Sequence, residues 1–133
     1  MRTIKFRAKT LDGVWYYGDL AHSNKLYATI RFQTMNGSIK TMDWVYVNED
    51  TIGQFTGLYD CDGKEIYEGD ILKWKADNLL YAVTFKWGMF YASVEVCNQE
   101  IYGGFPLHAL AEENGKDIEI VGNIYDNPEL KKK

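Results

Sequence analysis

The chain has 133 residues, a formal net charge of −4 and a pI near 5.1. A chain of this length buries roughly two-thirds of its unfolded surface, so its core needs neither a metal nor a disulfide. The acidic balance argues against a nucleic-acid-binding domain, which usually carries a basic surplus. Charges interrupt every apolar run well short of about eighteen residues, so we expect a soluble protein with no membrane span and no signal sequence. The two cysteines lack metal-ligand spacing and fit a reducing cytoplasm.

Alternating apolar and polar side chains predict half-buried strands in the first part of the chain. The alternation begins at residues 4–9, and Asp12-Gly13 then predicts a tight turn. It is clearest over residues 26–33, after which Asn36-Gly37 predicts a second hairpin turn. We therefore predict two hairpins, joined by a polar loop at residues 19–24.

Short strands continue through the second part of the chain, separated by glycine, aspartate and asparagine turns. The predicted strands are residues 71–75, 80–87, 90–97 and 118–124. The sequence between the last two is less regular, and a turn or two of helix is predicted at residues 107–113. Regularly spaced short strands with such turns are typical of a mainly β, antiparallel protein with little helix.

The predicted elements suggest how the chain is organised. Residues 1–133 are treated as a single domain with two sub-units, the N-terminal hairpins at residues 1–53 and a C-terminal β unit at residues 65–130. By analogy, the outline of the second sub-unit resembles a small barrel of the SH3 type. The stretch 54–72 is then the junction between them.

This junction contains five carboxylates within eleven residues, so calcium binding has to be considered. They are Asp60, Asp62, Glu65, Glu68 and Asp70. An EF-hand loop needs oxygen ligands at positions 1, 3 and 5, glycine at 6, an apolar residue at 8 and glutamate at 12. If Gly63 is taken as the glycine, positions 1, 8 and 12 fall on Leu58, Glu65 and Gly69, and none of the three fits. We therefore predict no metal site, and no cofactor site is indicated elsewhere.

The composition of the same stretch is that of two tight turns. Aspartate accepts hydrogen bonds from the backbone two residues further on, and glycine adopts the left-handed conformation that such turns need. We therefore predict structural turn residues, which are Gly57, Asp60, Asp62, Gly63, Gly69 and Asp70.

No catalytic residue is predicted. For the two histidines, His22 and His108, a nucleophile-base pair would need a serine or one of the two cysteines, Cys61 and Cys97, to be brought beside them by the fold. Nucleophile-elbow, zinc-protease and phosphate-loop patterns do not occur. An enzyme that uses the carboxylates of residues 60–70 is the least favoured of the functional hypotheses.

Basic residues alternate along the first strand, and Lys5, Arg7 and Lys9 share one face of it. Basic side chains interleaved with aromatic ones on a β surface can hold single-stranded DNA or RNA. Lysines on a strand also solvate it and protect its edge from pairing. The acidic net charge favours the second interpretation.

Aromatic residues make up 15% of the chain, and ten of them are tyrosines. Those that exceed the needs of a core of this size are Tyr16, Tyr17, Tyr27, Trp44, Tyr46, Tyr59 and Tyr67. Such residues supply large contact areas at protein interfaces, but they also cover sheets in strand-rich proteins. Both interpretations remain open at this stage.

Three blocks of sequence resemble the YopX family. The middle block is Gln54-Phe55-Thr56-Gly57-Leu58 followed by the run from Asp60 to Ile71. The other two are Ile4-Lys5-Phe6-Arg7-Ala8 and the run from Val121 to Leu130. The resemblance implies a β-rich fold and an origin in a phage or prophage, chiefly of Gram-positive bacteria. It implies no activity and no site residues.

The leading functional hypothesis is a cytoplasmic, phage-encoded accessory protein that is not an enzyme and binds another protein or itself. The alternative is a β module that binds single-stranded nucleic acid through Lys5, Arg7 and Lys9.

Overall fold

The computed structural model describes residues 2–23, 27–96, 99–109 and 115–132. For residues 23, 94–96, 99–103, 115 and 131–132 it describes the backbone alone. The chain divides into two compact units, Met1–Phe55 and Thr56–Lys133.

The first unit is built on antiparallel strands. They are β1 (Phe6–Lys9), β2 (Trp15–Ser23), β3 (Tyr27–Asn36), β4 (Ile39–Val47) and the beginning of β5 (Gly53–Tyr59), with a 3-10 turn at Glu49–Thr51. Their order in the sheet is β4-β3-β2-β1-β5. One face buries a small core of Ala8, Ala28, Ile30 and Val47, against which Tyr16, Leu20 and Val45 pack. The strands therefore alternate between a covered face and an exposed face.

The turn between β3 and β4 fixes the register of that hairpin. Asn36 pairs with Ile39, which leaves a two-residue loop of Gly37 and Ser38. Among the described residues of this loop only Gly37 has a positive φ, 64°, as in a type II′ turn. The register then runs without a break to the pair Ala28 and Val47.

The predicted loop at residues 19–24 is wrong for residues 19–23, which continue strand β2. The polar residues suggested a loop, but Asp19 and His22 are exposed and stay solvated within the strand. Asp19 and Ala21 are exposed, whereas Leu20 between them packs against the core. Asn24 lies outside the described residues.

The second unit begins with the end of β5 and contains six further strands. They are β6 (Glu65–Tyr67), β7 (Asp70–Trp74), β8 (Leu80–Lys86), β9 (Met89–Val96), β10 (Gln99–Pro106) and β11 (Ile118–Asn123), with 3-10 turns at Gly115–Asp117 and Pro128–Lys132. β6 is the neighbour of β5, and the other five form a sheet in the order β10-β9-β8-β7-β11. Its core contains Ile66, Leu72, Tyr81, Val83, Ala92, Leu107 and Ile118.

The prediction of a mainly β, antiparallel protein with little helix is confirmed. In the second unit β7 to β10 form a meander and β11 returns beside β7, but the predicted barrel-like closure is not observed among its described strands. Over the described residues the sheet is open, since β10 and β11 each pair on one side only. Strand β10 was not predicted. It pairs with β9 in a register that shifts between Glu100 and Gly104, and this bulge interrupts the alternation.

The helix predicted at residues 107–113 is observed at residues 107–109, and residues 110–113 lie outside the described part of the chain. No helix of the described residues is long and apolar enough to cross a membrane.

Candidate functional site

The first acidic turn is held together by the carboxylate of Asp60. Its Oδ1 accepts hydrogen bonds from the backbone N–H groups of Asp62 and Lys64, both at 2.9 Å. Its Oδ2 accepts from the N–H of Ile120 at 3.1 Å. The Asp60 side chain is buried, and Gly63 has a φ of 77° in the same turn. The carboxylate therefore joins the turn to strand β11.

The second acidic turn uses Asp70 in a similar way. Its Oδ2 accepts from the N–H of Tyr67 at 2.7 Å, and the residue is buried. Gly69 has a φ of 93°, donates to the carbonyl of Val83 and accepts from the N–H of Ile124. A Cβ built on Gly69 would lie 3.0 Å from the ring of Tyr125.

The two remaining predicted turn residues are exposed. Asp62 lies in the first turn, and Gly57 lies within β5 with a φ of 84°. The two buried carboxylates of the cluster thus accept from backbone donors. Among the described residues no group of three or more His, Cys, Asp or Glu side chains is arranged to hold a metal ion.

The histidines and the described cysteine are not assembled for catalysis. His22 and His108 are exposed, and Nδ1 of His22 lies 3.7 Å from Oε1 of Glu49. Partial burial, followed by the charge of Asp62, raises the pKa of Cys61, so this thiol stays protonated at neutral pH. Cys97 lies outside the described residues.

One buried tyrosine in the second unit is tied to a turn. The hydroxyl of Tyr81 donates to Oδ2 of Asp77, whose Oδ1 accepts from the N–H of Leu79 at 2.9 Å. Burial, together with this hydrogen bond and the charge of Asp77, raises the pKa of Tyr81 above its ordinary value of 10. The contact closes the turn between β7 and β8.

The predicted basic stripe lies against aromatic rings of the first unit. The guanidinium of Arg7 is 4.8 Å from the ring centroid of Trp15, and Lys9 Nζ is 5.7 Å from the same ring. Lys5 Nζ is 5.6 Å from the ring of Phe55. Arg7 is only 6% exposed, and both lysines are partly buried. Because the three cations stabilise the fold by packing on rings, this arrangement gives the nucleic-acid hypothesis no support.

The exposed face of the β3–β4 hairpin carries a group of large apolar side chains, which we call the hairpin face. Its members are Tyr27, Met35, Met42, Trp44 and Tyr46, each at least half exposed. The rings of Tyr27 and Tyr46 are 5.3 Å apart, and those of Trp44 and Tyr46 are 4.9 Å apart and nearly perpendicular. Edge-to-face contacts of this kind hold the rings in a fixed arrangement.

Strand β4 lies at the edge of its sheet, since in the described residues it pairs with β3 alone. Residues that flank a two-residue loop exchange hydrogen bonds, so alternate residues from Ile39 onward bond to β3. The residues between them, of which Trp44 is one, turn their backbone groups toward the open edge. The N–H of Trp44 donates a hydrogen bond to Oδ1 of Asp43 at 2.8 Å. This carboxylate therefore occupies the middle of the edge and protects it against pairing with another strand.

An open groove of about 680 Å³ lies at the end of β4. Its apolar wall includes Leu11, Tyr27, Val45 and Tyr46. Leu11, in the turn between β1 and β2, is 92% exposed. Since Tyr27 and Tyr46 belong both to the groove and to the hairpin face, the two form one continuous apolar surface.

The rest of the groove lining is polar and acidic. Asp12, Glu49 and Asp50 contribute three carboxylates, and Thr10 and Asn48 contribute neutral polar groups. None of the described residues that line the groove carries a positive charge. The groove lining therefore combines apolar residues, Val47 included, with negatively charged ones.

Sequence reasoning predicted Tyr27, Trp44 and Tyr46 as surplus aromatics but missed the two methionines, Leu11 and the groove. A signal was present in β4, where Met42, Trp44 and Tyr46 alternate with the apolar residues Val45 and Val47. A strand that is apolar on both faces is typical of a sheet covered on both sides. Here one of these faces is exposed.

The fold and this surface define a class of small two-unit β protein whose described part exposes a contiguous apolar surface. The model of the family described as "YopX protein" matches residues 5–132, so the chain belongs to the YopX family. The crystal structure of protein EF1440 from Enterococcus faecalis is similar, with 22% identity and a TM-score of 0.62. The match covers 98% of this chain and 99% of that chain, and it shows a shared fold. The comparison with curated proteins found no match.

Proposed function

We propose that this chain is a phage- or prophage-encoded accessory protein that acts in the bacterial cytoplasm by binding another protein or a second copy of itself. In this proposal it catalyses no reaction. Membership of the YopX family and a similar fold in an Enterococcus faecalis protein support the bacterial setting.

The observation that carries the proposal is the hairpin face. Large apolar side chains are exposed singly on most proteins, but a contiguous group of them marks a recognition surface. Three rings that are each about half exposed present on the order of 300 Å² to solvent, because a fully buried aromatic side chain contributes about 150–250 Å². A stable interface buries about 800 Å² on each partner. The hairpin face would therefore form the centre of an interface, with the adjacent groove and polar rim completing it.

The residue types agree with this role. Tyrosine, tryptophan and methionine are enriched in the buried centres of interfaces, whereas lysine and glutamate are depleted there. Truncation of a central tryptophan or tyrosine commonly costs about 2 kcal/mol or more of binding free energy. We expect Trp44 and Tyr46 to be such residues.

The test uses size-exclusion chromatography to compare the complexes that the wild-type chain and its variants form in cells that carry the phage genome. We expect the wild-type chain to elute well above its mass of 15.4 kDa, with a partner that mass spectrometry identifies and that rebinds after purification. The double variant Trp44→Ser/Tyr46→Ser should elute as the free chain. Phe85→Ser/Trp87→Ser removes exposed aromatic residues of the second unit and serves as the matched control.

A wild-type chain that elutes alone, and does not self-associate in analytical ultracentrifugation, contradicts the proposal. A complex that survives the Trp44 and Tyr46 substitutions contradicts the assignment to the hairpin face. Circular dichroism of each variant establishes that the strands are retained.

A further inference from the structure

We infer that the groove beside the hairpin face binds an extended segment of a partner protein in which lysine or arginine alternates with aliphatic residues. The inference rests on the proposed function and adds to it the chemistry of the partner.

The first argument is the charge of the groove. Asp12, Glu49 and Asp50 all contribute to its lining, and no described lining residue is cationic. The one described basic contact is the imidazole of His22, 3.7 Å from Glu49 Oε1 and neutral in its unprotonated form. The three carboxylates are exposed, and such groups attract an approaching ammonium or guanidinium and repel an anion, so a cationic segment is favoured over a neutral or acidic one.

The second argument is the apolar part of the same groove lining. Leu11, Val45 and the rings of Tyr27 and Tyr46 would gain from being covered, and each Å² of apolar area removed from water is worth about 25 cal/mol. An extended chain places successive side chains on opposite sides. A segment with alternating basic and aliphatic residues can therefore offer one set of side chains to the apolar residues of the groove and the other set to its carboxylates.

The third argument concerns where along β4 a segment can lie. The carboxylate of Asp43 occupies the middle of the strand edge, where it accepts a hydrogen bond from the N–H of Trp44. The groove begins beyond this position, at Val45 to Val47, and continues along the 3-10 turn to Asp50. The groove end of the strand is thus accessible to a chain that does not displace the Asp43 carboxylate. Docking there is compatible with a strand edge that resists pairing elsewhere.

The probes are two capped peptides of matched length, acetyl-KVKVK-amide and acetyl-EVEVE-amide. Each is titrated to 5 mM into the ¹⁵N-labelled full chain, and amide shifts are followed by NMR. We expect the lysine peptide to bind saturably and to shift the amides of Leu11, Tyr46 and Glu49, with affinity falling several-fold between 50 and 300 mM salt. The glutamate peptide should leave these amides unchanged.

Two triple variants separate the groove from the general acidity of the chain. Asp12→Asn/Glu49→Gln/Asp50→Asn should weaken binding of the lysine peptide at least tenfold. Asp62→Asn/Asp117→Asn/Glu129→Gln removes the same number of charges from exposed positions of the second unit and should leave the affinity within twofold of wild type. If the groove variant folds poorly, the single substitutions Glu49→Gln and Asp50→Asn give the same comparison.

Three results would overturn the inference: equal shifts with both peptides, no shift in the groove at 5 mM, or undiminished binding by the groove variant. These results leave the proposed function standing if the complex from cells still depends on Trp44 and Tyr46. If that complex is absent as well, the proposed function fails with it.

Discussion

Replacing Asp60 by alanine removes the acceptor of three backbone hydrogen bonds at once. Two of the donors belong to the exposed residues Asp62 and Lys64, so water can replace the lost acceptor, and each loss should cost about 0.5–1 kcal/mol. The third donor is the part-buried N–H of Ile120, which would lose its partner at a cost of about 1–3 kcal/mol. The expected loss is therefore about 3 kcal/mol, a large fraction of the roughly 5–15 kcal/mol that stabilises a domain.

The assay is urea unfolding followed by far-UV circular dichroism, which gives the free energy of unfolding of each variant. Asp60→Asn keeps one carbonyl oxygen but turns an NH₂ group toward a backbone donor. We therefore expect its free energy of unfolding to fall by about half as much as that of the alanine variant. Asp62→Asn alters an exposed side chain of the same turn and should change stability by less than about 0.5 kcal/mol. If the free energy of unfolding of Asp60→Ala lies within 1 kcal/mol of the wild-type value, the Asp60 carboxylate does not stabilise the contact between this turn and β11.

Three further predictions follow from particular contacts. Gly69→Val should destabilise the second unit more than Gly63→Val in urea unfolding, because both glycines have positive φ but only a Cβ at Gly69 meets a ring; equal losses would contradict this. Asp43→Thr should unblock the edge of β4, so that the apparent mass in light scattering rises with concentration; a variant that matches wild type at every concentration would show that this carboxylate does not protect the edge. Because the folded chain holds the Tyr81 proton more tightly than the unfolded chain, its contribution is fully present below pH 10 and is lost as the pH rises further. Wild-type stability should therefore fall between pH 10 and 11 more steeply than that of Tyr81→Phe, and parallel curves would contradict the reasoning.

The parts of the fold that depend on local chemistry could be predicted from the sequence. Asn36-Gly37 correctly indicated a hairpin, because a two-residue hairpin loop needs a residue with positive φ and Gly37 supplies it. The cluster of aspartate and glycine at residues 60–70 indicated turns, because aspartate bonds to nearby backbone N–H groups. Both inferences concern residues that are close together in the chain.

The parts that depend on distant residues could not be predicted. The hydrogen bond from Ile120 to Asp60 joins positions sixty residues apart, and no local pattern signals it. Exposure of the hairpin face depends on β4 being an edge strand, which is a property of the whole sheet. Strand β10 was missed because its bulge breaks the period of two by which strands are recognised. Burial of Arg7 was missed for a related reason, since its ring partner Trp15 lies on the next strand.

The most direct test of the account is site-specific photo-crosslinking in the cells in which the protein naturally occurs. A photoreactive benzoylphenylalanine is placed at Trp44 on the hairpin face, and in a separate variant at Trp87, a tryptophan of the second unit that is more exposed, at 79% against 56%. The account predicts a discrete protein adduct from position 44, which mass spectrometry identifies, and no adduct of the same mass from position 87. If position 44 gives no adduct, or only the adducts that position 87 gives, the hairpin face is not the binding surface of this protein.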